Sequence, residues 1–189
     1  GAIQWLERPE REQEETPDKV VANMELKSGD HVADIGSGSG YFTFRIARKV
    51  PEGKTYAVDI DETMLEFIET RARERSVDNI IPHLGTLTDT QLPANSIDLV
   101  FIADAYHEFS HPREMMESIV EALKPGGRLI QLEYRQEDVS IMIKPLHKMS
   151  QKQVIKELTA VGLEHVETRD FLDIQHFMVF KKPEVSTPQ

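Results

Sequence analysis

The clearest chemistry in this sequence lies in Asp34-Ile35-Gly36-Ser37-Gly38-Ser39-Gly40. Three glycines in five residues let the backbone turn sharply and approach a ligand. A helix starting there would offer its free N–H groups to that ligand. Asp59 stands 23 residues after Gly36. An acid at that distance, closing the next strand, is placed to accept hydrogen bonds from ribose hydroxyls. The competing reading is a tight structural turn with an unrelated surface acid. The loop, the acid and the alternating elements around them together favour a nucleotide site.

Charge narrows the nucleotide. Nicotinamide sites favour G-x-G-x-x-G and need no acid before the first glycine. Here Asp34 precedes Gly36 by two residues and the third glycine comes one residue early. A carboxylate beside the loop repels a pyrophosphate and suits a ligand that brings positive charge. S-adenosylmethionine (SAM) carries a sulfonium, an ammonium and no phosphate, so electrostatics select it over NAD.

A second constellation is Asp104-Ala105-Tyr106-His107-Glu108-Phe109-Ser110-His111. His107 to His111 spells H-E-x-x-H, which on a helix would put two His on one face for zinc. This segment leaves a strand instead, Pro112 biases His111 away from helical geometry, and no third ligand stands in a helical context. No metal is therefore expected. His107 is expected to face a substrate as orienter or general base, since an imidazole titrates near neutrality. Tyr106 is expected to shape the pocket and Tyr134 to line it, with Glu133 and Arg135 on the same rim. His147 lies in a connection long enough to cap the site. A structural, hydrogen-bonded His107 is the alternative.

The elements that must position these residues follow from hydrophobic periodicity. Residues 7–19 form a charged lead-in broken by Pro9 and Pro17, which Trp5 and Leu6 are expected to dock on the body. A helix is predicted over 17–25 with Thr16 as N-cap. Strands are predicted at 32–35, 55–59, 80–84, 97–103, 128–134, 163–171 and 176–181. Helices are predicted at 41–50, 62–75, 112–123 and 151–161, and Lys124-Pro125-Gly126-Gly127 reads as a stop and turn. Strands alternating with helices imply a Rossmann-like, doubly wound, mostly parallel sheet of seven strands. The last strand follows its neighbour after about four residues, too few for a parallel crossover, so it must run antiparallel. The expected division is a helical extension over 1–26, one domain over 27–182 and a disordered tail over 183–189.

Composition excludes several classes. The 189 residues contain no cysteine, which removes disulfides, thiolate metal sites and cysteine nucleophiles. Lys and Arg number 22 against 33 Asp and Glu, a net charge of -11 that opposes nucleic-acid binding. The longest apolar stretch, 97–103, contains Asp98 and is far shorter than the ~20 residues of a membrane helix. The first seven residues lack the basic and apolar regions of a signal peptide, so a cytoplasmic location is expected, with any segment upstream of Gly1 outside this reading. The sequence sets no oligomeric state.

From Val32 to Lys181 the sequence resembles the class I SAM-dependent methyltransferases. Val32 to Phe42 is similar to their first motif, and Tyr56-Ala57-Val58-Asp59-Ile60-Asp61 with Met64-Leu65 to the second. Gly85 to Pro93 with Ser96 to Val100 resembles the third and fourth, and Leu123 to Leu129 the turn before the fifth strand. The middle of the chain resembles the type 11-like group, which includes quinone-biosynthesis and other small-molecule enzymes. The resemblance implies that Gly36, Gly38 and Gly40 pass under the methionine part of SAM, with Ser37 beside them, and that Asp34 meets its ammonium. Asp59 would take both ribose hydroxyls and Ile60 would lie against the adenine. Thr86 stands where many relatives carry an Asp for the adenine amino group. Leu87 would supply an N–H and an apolar lid, and Asp104 would complete the set. Asp104 and Tyr106 match half of the D-P-P-Y motif of amine-methylating nucleic-acid enzymes, whose prolines are missing here. Methyl transfer to the O, N or C atom of a small molecule is thus implied. A SAM-binding protein without transfer activity and a nicotinamide oxidoreductase are the alternatives.

Overall fold

The computed structural model describes residues 1–184. Three short helices, α1 (Ala2–Leu6), α2 (Arg11–Glu15) and α3 (Pro17–Ala22), precede β1 (His31–Ile35). Then follow α4 (Thr43–Lys49), β2 (Lys54–Asp59), α5 (Glu62–Glu74), β3 (Ile80–Leu84) and β4 (Ile97–Ala103). The remainder is α6 (Pro112–Ala122), β5 (Leu123–Arg135), β6 (Lys148–Met149), α7 (Gln151–Ala160), β7 (Glu164–Arg169) and β8 (Gln175–Lys181). The strands form one sheet in the order β3-β2-β1-β4-β5-β8-β7, with β6 paired to β5 off this path. β1 to β6 pair in parallel, and β8 is antiparallel to both β5 and β7. The sheet thus has the doubly wound form expected, plus the two-residue strand β6.

Alternation along the central strands builds a core on each face of the sheet. Val100 and Ile102 join Met116 and Ile119 of α6 and Val154 and Leu158 of α7 on one face. Leu99 and Phe101 join Val20, Val21 and Met24, together with Phe42 and Ile46, on the other. The helix α3 therefore belongs to the body of the domain, although it lies within the expected extension.

Other differences have local causes. Thr16 does not cap α3: it sits in the left-handed region (φ 42°) and its side chain makes no capping bond. Trp5 is 64% exposed and stacks under the Arg8 guanidinium at 4.1 Å, so Leu6 rather than Trp5 meets the body. Residues 124–127 are absorbed into β5 as a bulge. Ile97 pairs with Leu123 and Leu99 with Arg128, and Gly126 and Gly127 exchange backbone bonds with Lys182. Residues 183 and 184 are exposed, and the rest of the expected disordered tail, 185–189, lies outside the described residues. Among the described residues no helix is long and apolar enough to cross a membrane.

Strand order reverses between β1 and β4. Crossovers from β1 lead one way to β2 and β3, and the chain then returns to β4 on the other side. The crevice beyond the C-terminal ends of these strands is where such folds bind ligands.

Candidate functional site

A cavity of about 370 Å³ opens at that reversal. Its floor is the loop leaving β1. Gly36 and Gly38 hold φ of +73° and +52°, the left-handed region that glycine enters without strain. A Cβ on Gly36 would stand 2.7 Å from Ala105 Cβ, so the loop also needs glycine for space. Asp59, at the end of β2, fastens the loop: its Oδ2 accepts from Gly38 N–H (2.8 Å) and its Oδ1 from Asp61 N–H (3.0 Å). Asp34, next to last in β1, is a buried acid whose Oδ2 accepts from the Thr43 hydroxyl (2.6 Å). Burial, with Asp59 nearby, pushes Asp34 up to about 6 against the pull of Thr43.

Asp34, Gly36, Ser37, Gly38, Asp59, Ile60, Thr86, Leu87 and Asp104 all line this cavity. Two of them differ in detail from what the resemblance implies. Thr86 Oγ1 accepts from the N–H groups of Asp89 (3.0 Å) and Thr88 (3.3 Å), so it is committed to its own turn. Asp104 has φ +50°, and its Oδ2 accepts from Gln175 Nε2 (2.6 Å). Burial, with Glu15 and Glu133 nearby, holds its carboxyl well above the ordinary range.

Gly40 is placed apart from these residues. It is absent from the cavity lining, and a Cβ there would meet Ile68 and Phe44 at 3.0 Å. Its role is to let the start of α4 pack closely on α5.

The N-terminal residues also close the cavity, a role not expected of the charged lead-in. Leu6 and Arg11 are part of its wall. Arg11 is buried, bonds Glu15 (2.9 Å) and the Leu6 carbonyl (2.9 Å), and lies 4.0 Å over the Tyr41 ring. Glu7 bridges Ser39 Oγ (2.6 Å) and Arg71 (2.8 Å), pinning the segment across the glycine loop. Only the i,i+4 spacing of Arg11 and Glu15 hinted at a pair, and nothing local marked it as buried. Tyr41, Phe42, Met64, Phe109 and Met115 add apolar surface.

The three residues expected at the acceptor do not line the cavity. Tyr106 is buried and its hydroxyl donates to Glu157 on α7 (2.6 Å). Tyr134 is buried and donates to Glu15 (3.1 Å). Both are spent on joining elements, Tyr106 from the turn after β4 and Tyr134 from the end of β5. His107 sits behind the cavity wall, where its Nδ1–H donates to Glu133 (2.8 Å). Burial opposes its charged form, yet Glu133 outweighs burial and raises its pKa. Glu108, one residue on, does reach the cavity.

The site fits SAM on its own features. It offers a backbone cradle that a Cβ would fill and two carboxylates at the ends of adjacent strands. Ser37 Oγ and Asp104 Oδ1 are buried at its wall without a hydrogen-bond partner among the described residues.

Demethylmenaquinone methyltransferase of Symbiobacterium thermophilum is 36% identical over 117 residues, 61% of this chain and 47% of that protein. Ubiquinone/menaquinone biosynthesis C-methyltransferase UbiE of Pseudomonas entomophila is 33% identical over 121 residues, 63% and 47%. The chain spans about half the length of these curated relatives. A SAM-dependent methyltransferase from Aquifex aeolicus superposes with a TM-score of 0.89 at 24% identity, covering 95% of this chain and 96% of that one. The [4+2]-cyclase SpnF shares the fold with a TM-score of 0.75 at 18% identity, covering 90% and 81%. Residues 26–177 match the family model described as a methyltransferase domain. That match takes in the loop, both acids and every central strand, and the chain belongs to the methyltransferase-domain family.

Proposed function

We propose that this protein transfers a methyl group from SAM to a small, largely apolar acceptor. The observation that carries this reading is the pair of carboxylates, Asp34 and Asp59, set over a glycine cradle at the reversal of strand order. When bound, SAM supplies a methyl carbon already activated by its sulfonium. Asp59 would receive the ribose hydroxyls, and Asp34 would meet the ammonium and neutralise it in a dry site. Ile60, Met64 and Leu87 would flank the adenine. Ala105, Phe109 and Met115 supply apolar surface on the β4 side, suited to an acceptor ring. The Leu6–Arg11 segment would exclude water. Such a reaction needs alignment and desolvation more than dedicated proton chemistry.

The names of the curated relatives favour a quinol-type acceptor within this class. No nucleic-acid partner is part of the reading, in keeping with the net charge of -11. The cytoplasm is its proposed compartment. The test is incubation of the purified chain with SAM and a panel of benzoquinols, naphthoquinols, phenols and amines, read by mass spectrometry. A methylated product together with S-adenosylhomocysteine supports the reading. SAM binding without turnover on any acceptor would favour a non-transferring role, for which the shared fold of a cyclase is a precedent.

A further inference from the structure

The H-E-x-x-H pattern is not a helical zinc motif here, because its two histidines part company. His111 is exposed and its Nδ1 pairs with its neighbour Ser110 Oγ (3.0 Å). His107 and Glu108 instead lie on a single 3-10 turn, Tyr106–Glu108, that follows β4. Another 3-10 turn, Pro145–His147, brings in His147 from forty residues along the chain. One ligand atom from each of His107, Glu108 and His147 lies within 4.8 Å of the others.

We propose that His107, Glu108 and His147 hold a divalent transition-metal cation at the edge of the cofactor cavity. Three features carry this. The first is the orientation of His107. Its Nδ1–H donates to Glu133 Oε2 (2.8 Å), and Glu133 is fully buried and also accepts from His107 N–H (3.3 Å) and Gln131 Nε2 (3.1 Å). A proton held on Nδ1 leaves Nε2 a lone pair, which here accepts from His147 Nδ1–H (3.0 Å) and would turn to a cation once His147 carries its proton on Nε2 instead. A buried carboxylate behind a histidine is the arrangement that orients metal-binding imidazoles.

The second is spacing. His107 Nε2 is 3.0 Å from His147 Nδ1 and 3.8 Å from Glu108 Oε1. Ligands about 2.0–2.2 Å from a tetrahedral ion lie roughly 3.3–3.5 Å apart, so the two distances bracket the value required. Small rotations of His147 and Glu108, both on partly open turns, would equalise them. The third is the donor set. Two imidazole nitrogens and one carboxylate suit zinc and its neighbours rather than magnesium or calcium, and three protein ligands leave a coordination position open. Glu108 also lines the cavity, so the cation would sit where the cavity meets this cluster. Any use of the open position by an acceptor oxygen rests on the proposed methyl transfer, whereas the site itself does not.

The experiment uses the full chain, stripped with chelator and titrated with zinc by calorimetry, without SAM or acceptor. A parallel titration with cobalt(II) reads visible absorption, whose intensity reports tetrahedral coordination. One equivalent per chain is expected. His147→Ala should weaken binding by at least about a hundredfold and remove the cobalt band. No residue of its turn is buried, so the variant should keep its fold by circular dichroism. Glu133→Gln should weaken binding by about 10–100-fold, since it loosens the ring that presents Nε2. His111→Ala should leave binding unchanged. The proposal is overturned by the absence of stoichiometric binding, by binding that survives His147→Ala, or by binding lost with His111→Ala. SAM calorimetry on the stripped protein keeps the two readings apart: failure there strikes the methyl-transfer reading and leaves the cation site standing.

Discussion

The floor of the crevice and its rim are built in different ways. The floor, from Asp34 to Asp59, comes from two adjacent parallel strands and the loop that leaves the first of them. Each functional group sits at a strand end or in the turn that follows, so one local motif places them all. The rim gathers His107, Glu133 and His147 from a turn after β4, the end of β5 and a loop beyond it. Their hydrogen bonds join residues 26 and 40 positions apart. A floor built from backbone tolerates little change in residue size. A rim built from long-range side-chain contacts tolerates changes that keep the partners.

Gly36→Val should have the largest effect on the floor. The substitution forces a branched residue to φ +73° and drives its Cβ toward Ala105. A backbone cost of roughly 1–2 kcal/mol comes first, and the displaced loop then loses the ligand. SAM affinity should fall by more than about a hundredfold in calorimetry. Normal binding by a folded variant would mean that the floor is not the cofactor site.

Asp59→Ala comes next. It removes a charged acceptor from the ribose position and from Gly38 N–H, and should cost about 2–3 kcal/mol of SAM affinity. Unchanged affinity would place the ribose elsewhere.

Smaller again is a pH effect. Asp34 sits near 6 because burial and Asp59 penalise its charge. A raised pKa means that the free site holds a proton there below about pH 6 and releases it above. A cationic ligand favours the ionised form, so SAM affinity should fall as pH drops through 6. At pH 5 it should be about tenfold weaker than at pH 7, one pH unit below the pKa leaving about a tenth ionised. Asp34→Asn should flatten the profile. Calorimetry across this range decides, and a flat profile for the unmodified protein would detach Asp34 from the ligand.

The smallest effect separates the rim's structural residues from the floor. Tyr106→Phe deletes the bond to Glu157 and nothing that faces the cavity. It should lower stability by about 0.5–1.5 kcal/mol in denaturant unfolding and leave SAM affinity unchanged. A marked loss of affinity would show that the rim tyrosine acts on the floor.

Short-range patterns along the chain already carry part of this architecture. The apolar run 97–103, interrupted only by Asp98, announced a buried central strand, and the glycines with Asp34 and Asp59 announced the crevice floor. The short link between the last two strands dictated their antiparallel pairing. These features live within one strand–turn–helix unit or its neighbour, where chain geometry leaves few choices. Where side chains end up depends on how the finished elements pack together. Only packing sent Tyr106 to Glu157 and Tyr134 to Glu15, turned Gly40 toward Phe44 and Ile68, and folded Arg11 over the cavity. It also separated His111 from His107 and brought His147 in its place, because contacts across dozens of residues follow from how loops close over a finished sheet. A linear spacing such as H-E-x-x-H carries information only while the backbone between its members keeps one regular geometry, and between His107 and His111 it does not.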